Sequence, residues 1–113
     1  MRKINLTIAY GQATGAFLRK FSGNTMLESA IKMLERDLAD TNRALRPGVQ
    51  VFTMRTALPG RKYSHLSCVY IFRADTGDVA PCFLFFPNDN LAQPLNTEEI
   101  KSRIAEIRKE LGW

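Results

Sequence analysis

Residues 61–65 read Arg-Lys-Tyr-Ser-His and place a histidine beside a serine, a tyrosine and two basic side chains. His65 is the single histidine of the chain. An imidazole beside basic side chains, here with Arg73 nearby in sequence, has the groups that a small basic nuclease needs: a general base and cations that stabilise the transition state. Only folding could bring an orienting acid, Asp40 or Asp89, close to this imidazole. We therefore rank nuclease activity third and expect a protein without catalytic residues.

The two cysteines, Cys68 and Cys82, lie on separate arms of a predicted hairpin. With the turn at residues 76–77, Cys82 lies opposite position 71, which is too far from Cys68 for a disulfide. One histidine and two separated cysteines also lack the spacing of a metal site. The sequence predicts reduced core cysteines, no metal and no cofactor.

The net charge of +5 comes from two segments, residues 1–24 and residues 47–64, which contain basic residues and no acidic ones. The predicted helices are each balanced in charge. If the two segments meet in space, they form a basic patch with aromatic residues between the charges, which suits phosphates and unpaired bases. The candidate nucleic-acid-binding residues are Arg2, Lys3, Arg19, Lys20, Arg55, Arg61 and Lys62.

The element that must position these groups is a hairpin over residues 65–87. Two β-branched and aromatic runs flank a turn at residues 74–78, which is the strongest hairpin signal in the chain. Both arms are apolar at nearly every position. Strands of this kind are usually covered on both faces, so we expect the hairpin near the middle of a sheet.

Periodicity, turn residues and capping residues predict five further elements. The first helix should begin with a capping box formed by Thr25 and Glu28. The elements are a strand over residues 3–10, a short strand over residues 17–21, a helix over residues 25–45, a strand over residues 49–58 and a helix after Asn96.

The order β-(β)-α-β-β-β-α predicts a single α+β domain over residues 1–113. We expect an antiparallel sheet of four to five strands, with two amphipathic helices packed on one face. The order helix, three strands, helix is similar to that of double-stranded-RNA-binding domains. That family begins its last helix with a lysine cluster, where this chain has Thr97, Glu98 and Glu99, so the resemblance is one of topology and assigns no residues.

Two helices on one face leave the aromatic side chains of the other face uncovered, and monomers rarely expose a large apolar patch. Either residues 11–21 fold across this face or another molecule covers it. The candidate interaction residues are Tyr70, Phe72, Phe83 and Phe85. The sequence thus predicts a small non-catalytic interaction module that forms a homodimer or binds a protein partner, with nucleic-acid binding as the alternative.

The compartment is predicted from what the chain lacks. No apolar run approaches the ~20 residues that a membrane-spanning helix requires. Residues 3–10 alternate in polarity, unlike an export signal. We therefore expect a cytoplasmic protein that does not enter membranes.

Overall fold

The computed structural model describes residues 1–21, 25–89 and 97–113. In these residues three helices surround one antiparallel sheet of three strands in the order β1-β2-β3. The elements are α1 (Ile8–Lys20), α2 (Leu27–Ala39), β1 (Gly48–Arg55), β2 (His65–Arg73), β3 (Asp78–Phe85) and α3 (Thr97–Leu111). The α+β class and the order helix, three strands, helix are confirmed. The expected fourth and fifth strands are not found in the described part of the chain.

The N-terminal region is the main departure from the predicted elements. Ile4 forms one parallel bridge with Val79, and residues 8–20 form α1 instead of a strand, a loop and a second strand. The hydroxyl of Thr7 accepts a hydrogen bond from the Tyr10 amide at 3.1 Å and so caps the helix. The alternation of apolar residues in this region therefore belongs to an extended lead-in followed by the first turn of a helix.

The start of α1 is also held by a carboxylate from the far end of the chain. Glu110 on α3 accepts hydrogen bonds from the amides of Ile8, at 2.6 Å, and Ala9, at 3.3 Å. Helix N-termini carry unpaired amides and a partial positive charge, so a carboxylate there is favourable. This contact joins residues 102 positions apart, so the sequence around residues 8–20 does not predict it.

Helix α2 is shorter than the predicted helix over residues 25–45. It begins after Met26, which caps it without a side-chain hydrogen bond, so the Thr25–Glu28 capping box does not start it. At the C-terminal end of α2, Arg2 donates hydrogen bonds to the last carbonyls of the helix. The Arg2 amide donates to the Ala39 carbonyl at 2.8 Å, and its guanidinium donates to the Asp40 carbonyl at 2.6 Å.

Side chains of β2 alternate between two cores on opposite faces of the sheet. Cys68 and Tyr70 lie in the first core with α2, whereas Val69 and Ile71 lie in the second core with Ile107 of α3. The prediction that both helices pack on one face is therefore wrong. A hairpin that is apolar on both faces must be covered on both. Helix α2 covers one face, and α3 covers the other.

The predicted hairpin is confirmed, and β2 is the central strand. Strand β3 lies at an edge, where Pro81 pairs with Tyr70 next to a break in register between Val69 and Tyr70. A bulged edge strand is where a proline is tolerated, because it has no amide to donate. Helix α1 packs along β3 and supplies Phe17 to the first core and Ala9 to the second.

The buried thiols give the fold a pH dependence that can be measured. Burial raises the pKa of Cys68, and it raises the pKa of Cys82 to about 12. Both thiols ionise more readily in the unfolded chain, so their contribution to stability is complete below about pH 8.5 and is lost as the pH rises toward 12.

We expect the urea midpoint to fall between about pH 8 and about pH 10, measured by circular dichroism with reductant present. Cys82→Ala should make this fall shallower, because it removes one of the two thiols whose pKa is raised in the folded protein. A fall of equal steepness in Cys82→Ala and the unaltered protein would show that this thiol does not contribute to it.

Candidate functional site

The polar residues at 61–65 are positioned by a 3₁₀ turn, Arg61–Tyr63, that leads into β2. Gly60 has a φ of +102°, and a Cβ at this position would lie 3.1 Å from the Tyr63 ring, so both the backbone and the space favour glycine here. The Tyr63 amide donates to the Gly60 carbonyl at 3.1 Å, and the Thr56 hydroxyl donates to the Tyr63 carbonyl. These bonds fix the residues that follow, Ser64 and His65, at the end of the sheet.

An aromatic cluster joins this turn to the end of α1. The Phe86 ring is fully buried, and its centroid lies 5.2 Å from that of Phe17, 5.0 Å from that of Phe21 and 5.0 Å from that of Tyr63. Phe21 and Tyr63 also meet directly at 5.9 Å. Phe21 and Tyr63 each directly follow a pair of basic residues in the sequence. Their contact therefore brings the two basic segments, residues 1–24 and 47–64, together at this cluster. The pairs are Arg19–Lys20 and Arg61–Lys62.

Five of the seven predicted basic residues thus share one end of the sheet, since Arg55 pairs with His65 across β1 and β2. We call this set the basic end. Its members are Arg19, Lys20, Arg55, Arg61 and Lys62.

The other two predicted basic residues lie at the opposite end of the sheet. Arg2 lies 5.2 Å from the centroid of the Phe72 ring, which is roughly 23 Å from His65 along β2. The Lys3 carbonyl accepts a hydrogen bond from the Val79 amide at 3.0 Å. Arg2 and Lys3 therefore do not join the basic end, and Arg2 instead stabilises the end of α2.

At the basic end, Ser64, His65 and Asn88 form a hydrogen-bonded group. The Asn88 amide donates to Ser64 Oγ at 3.1 Å and lies 3.3 Å from His65 Nδ1, and Ser64 Oγ lies 3.0 Å from the same nitrogen. A consistent assignment has Ser64 accepting from Asn88 and donating to Nδ1. Within the described residues, this imidazole bonds a hydroxyl and an amide, and no carboxylate.

Neither acid considered for His65 is among its hydrogen-bond partners. Asp40 lies beside Arg2 at the opposite end of the sheet, and Asp89 is buried directly after Asn88. Tyr63 is packed against Phe21 and Phe86 rather than aimed at the imidazole. The group supplies polar donors but lacks the acid that orients a histidine acting as a general base.

The aromatic residues proposed as one interaction face lie on two faces of the sheet. Tyr70 and Phe72 pack in or against the first core under α2, and Phe83 and Phe85 do so in the second core under α3. Tyr70 and Phe83 are buried. The chain's own helices therefore contribute cover to both faces, and residues 11–21, one of the two alternatives for this cover, take part as α1.

The uncovered part of the sheet is β1, whose second edge has no strand beside it in the described part of the chain. The Thr56 amide donates to the Ser64 carbonyl at 2.8 Å, which continues the register of β1 and β2 by one pair. Hydrogen-bonded pairs alternate in an antiparallel ladder, so the even-numbered residues of β1 bond to β2. The odd-numbered residues turn their amides and carbonyls outward. We call this outward row the open edge.

The same odd-numbered residues expose apolar side chains. Val49 is 38% exposed and Val51 is 55% exposed, beyond the reach of α3 on that face. On the other face, Met26, which caps α2, and Met33 of α2 are 48% and 58% exposed and line a groove with Met54. Both faces that adjoin the open edge are therefore apolar. Residues 49–54 contain no charged residue and no proline, so they lack the residues that usually protect an edge strand. Composition alone does not show, however, which strand of a sheet lacks a neighbour.

No protein-family model matches the chain, and no curated protein matches it. Across residues 1–21, 25–89 and 97–113, no helix has the length and apolar character needed to cross a membrane. In the same residues no three histidine, cysteine or acidic side chains group as metal ligands.

Proposed function

We propose that the protein is a non-catalytic interaction module that self-associates, with the open edge of β1 as its contact surface. The observation that carries this proposal is that the outward-turned backbone groups and the exposed Val49 and Val51 belong to the same residues. An unpaired row of amides and carbonyls on an edge strand is a template for another strand. The proposal keeps the predicted homodimer and moves its interface from the hairpin to β1.

The other edge of the sheet supports this choice by contrast. At β3, the Val79 amide donates to the Lys3 carbonyl at 3.0 Å, and the Asn5 amide donates to the Val79 carbonyl at 2.9 Å. Helix α1 then packs along the strand. Proteins protect edges with covering segments, prolines, bulges or charges. Strand β3 has the first three of these, whereas β1 has a single charge, Arg55, at its last residue.

A second copy is the occupant that suits this edge. A two-fold axis perpendicular to the sheet places odd-numbered residues opposite odd-numbered residues, so outward amides meet outward carbonyls. In the two registers centred on the middle of the strand, Val51 faces Val51 or Thr53 of the other copy, and neither places one Arg55 opposite the other. The methionine groove borders the same edge, and flexible methionine side chains adapt well to a contact surface.

Val51→Lys is expected to convert a concentration-dependent dimer into a monomer. The lysine places a charge on the outward face of the strand, where a second copy would have to bury it or oppose it with its own. The measurement is molar mass by light scattering or sedimentation, over about a hundredfold range of concentration at fixed salt, at concentrations that span the midpoint of association.

Val51→Thr is the matched control, because threonine keeps the branched shape and strand preference of valine. It should still dimerise. The proposal fails if the unaltered protein remains a monomer at every concentration, or if Val51→Lys dimerises as strongly as Val51→Thr. Circular dichroism of both variants establishes that the fold is kept, which the exposure of Val51 leads us to expect.

A further inference from the structure

We propose that the basic end binds the phosphate groups of a nucleic-acid strand. This inference goes beyond self-association and uses a surface that shares only Arg55 with the open edge. The predicted basic segments meet there through the contact of Phe21 with Tyr63. Three observations support it: cations without acidic partners, neutral donors beside them, and room for more than one phosphate.

The first observation concerns how the cations are used. Two arginines elsewhere in the molecule lie against acidic side chains: Arg43 pairs with Asp37 at 3.2 Å, and Arg73 lies 3.7 Å from Asp75. Arg55, Arg61 and Lys62 form no ion pair with any described residue, and all three are exposed. Their charge is therefore available to an anion from solution, and each phosphate that they neutralise releases counterions.

The second observation is the set of neutral donors in the same place. Gly60, Arg61, Lys62, Ser64, Pro87 and Asn88 line an open depression at this end. The Asn88 amide nitrogen lies within hydrogen-bond distance of Ser64 Oγ and of His65 Nδ1, so its two hydrogens have partners within this group. A phosphate oxygen that replaces one of these partners accepts from a neutral donor next to the two cations. Polar donors and basic side chains together are the usual contacts to phosphate oxygens.

The third observation points to a strand instead of a single phosphate. Arg19 and Lys20 precede Phe21, whose ring lies against Tyr63 on the far side of the turn. A second element with exposed basic residues thus ends at the aromatic cluster beside which the depression lies, and basic residues on two elements suit successive phosphates. The Lys62 ammonium lies 5.4 Å from the centroid of the half-buried Tyr63 ring, so an aromatic surface is also part of this end. Cations with an aromatic side chain are typical of surfaces that follow a single strand.

The test is a titration of labelled single-stranded DNA and RNA of about 12 nucleotides, followed by fluorescence anisotropy at about 50 and about 200 mM salt. Binding should weaken at the higher salt. Arg61→Glu with Lys62→Glu should lower the affinity at the lower salt at least about tenfold. Asn88→Asp should also lower it, because a carboxylate replaces the donor amide without a change in size.

The matched control is Lys32→Glu with Arg36→Glu, two exposed residues of α2 that change the net charge by the same amount. This variant should keep most of the affinity. An equal loss in the control would show that net charge alone attracts the strand, and unchanged binding in the Arg61–Lys62 variant would exclude the site. Either result overturns the proposal.

Two further arms distinguish the source of the phosphate and the role of the dimer. Inorganic phosphate and a mononucleotide at millimolar concentration should compete only weakly with the labelled strand. Complete competition by either would assign the site to small phosphorylated ligands and overturn the nucleic-acid proposal. Val51→Lys should not weaken strand binding, because the open edge does not include the depression and the added charge is positive, so failure of one proposal is distinct from failure of the other.

Discussion

Phe86→Ala is expected to lower the free energy of unfolding by about 3–5 kcal/mol. The ring is fully buried and makes tilted or edge-on contacts with Phe17, Phe21 and Tyr63 at centroid distances of 5.0 to 5.2 Å. Truncation removes the apolar surface of the ring and leaves a cavity that three rigid rings fill poorly. Urea unfolding followed by circular dichroism measures the change.

Phe86→Leu is the control for this prediction, because leucine keeps much of the apolar volume and should cost clearly less than alanine. The two variants also link stability to function. Phe86 is the ring that contacts both Phe21 and Tyr63, so its loss should loosen the alignment of Arg19–Lys20 with Arg61–Lys62 and weaken strand binding in the folded protein. A change below about 1 kcal/mol for Phe86→Ala would contradict the account of the cluster as a joint between the two basic segments.

The parts of the fold that the sequence predicted well are those with local causes. The hairpin over residues 65–87 has its turn residues and both of its apolar arms within one stretch, and the structure reproduces it. The helix α3 and the strand β1 were likewise readable from periodicity. The helix predicted over residues 25–45 is present as α2, but both of its ends differ. Met26 caps it instead of Thr25, and Arg2 from a distant part of the chain binds its last carbonyls.

The parts that were mistaken have distant causes. Helix α1 is fixed by Glu110, which lies 102 positions from Ile8, and the extended residues before it bridge to β3. Tertiary packing also decides which face of the sheet each helix covers. The amphipathic pattern of a helix shows that it packs against an apolar surface, but not which of two apolar faces it covers. The two apolar faces of the hairpin were recognised, and the division of the helices between them was not.

At the candidate site, too, the features with local causes are predicted from the sequence and those with distant causes are not. The basic residues near Phe21 and Tyr63 were identified from charge and aromatic composition, and ring packing brings the two pairs to one end. Arg2 and Lys3 have the same composition but lie at the other end of the sheet. Asn88 was not singled out, because an amide in a polar connector has no distinctive spacing. Its place beside Ser64 depends on where β3 ends.

The second large effect is expected at Ile107, which attaches α3 to the sheet. This side chain is fully buried in the second core with Val69, Ile71 and Phe83. We expect Ile107→Ala to lower the free energy of unfolding by about 2–5 kcal/mol, because it removes buried methylene groups and leaves a cavity between α3 and the sheet. Thermal and urea unfolding measure the loss.

Glu106→Ala, one position earlier and exposed, is the matched control and should change stability by no more than about 0.5 kcal/mol. The exposure of the sheet face gives a second readout. If α3 is what covers Val69, Ile71 and Phe83, its loosening in Ile107→Ala should increase the fluorescence of an apolar dye under conditions where β-sheet circular dichroism is kept. Equal stability and equal dye fluorescence in the two variants would mean that something other than α3 covers this face, and the predicted partner surface on the hairpin would then have to be considered again.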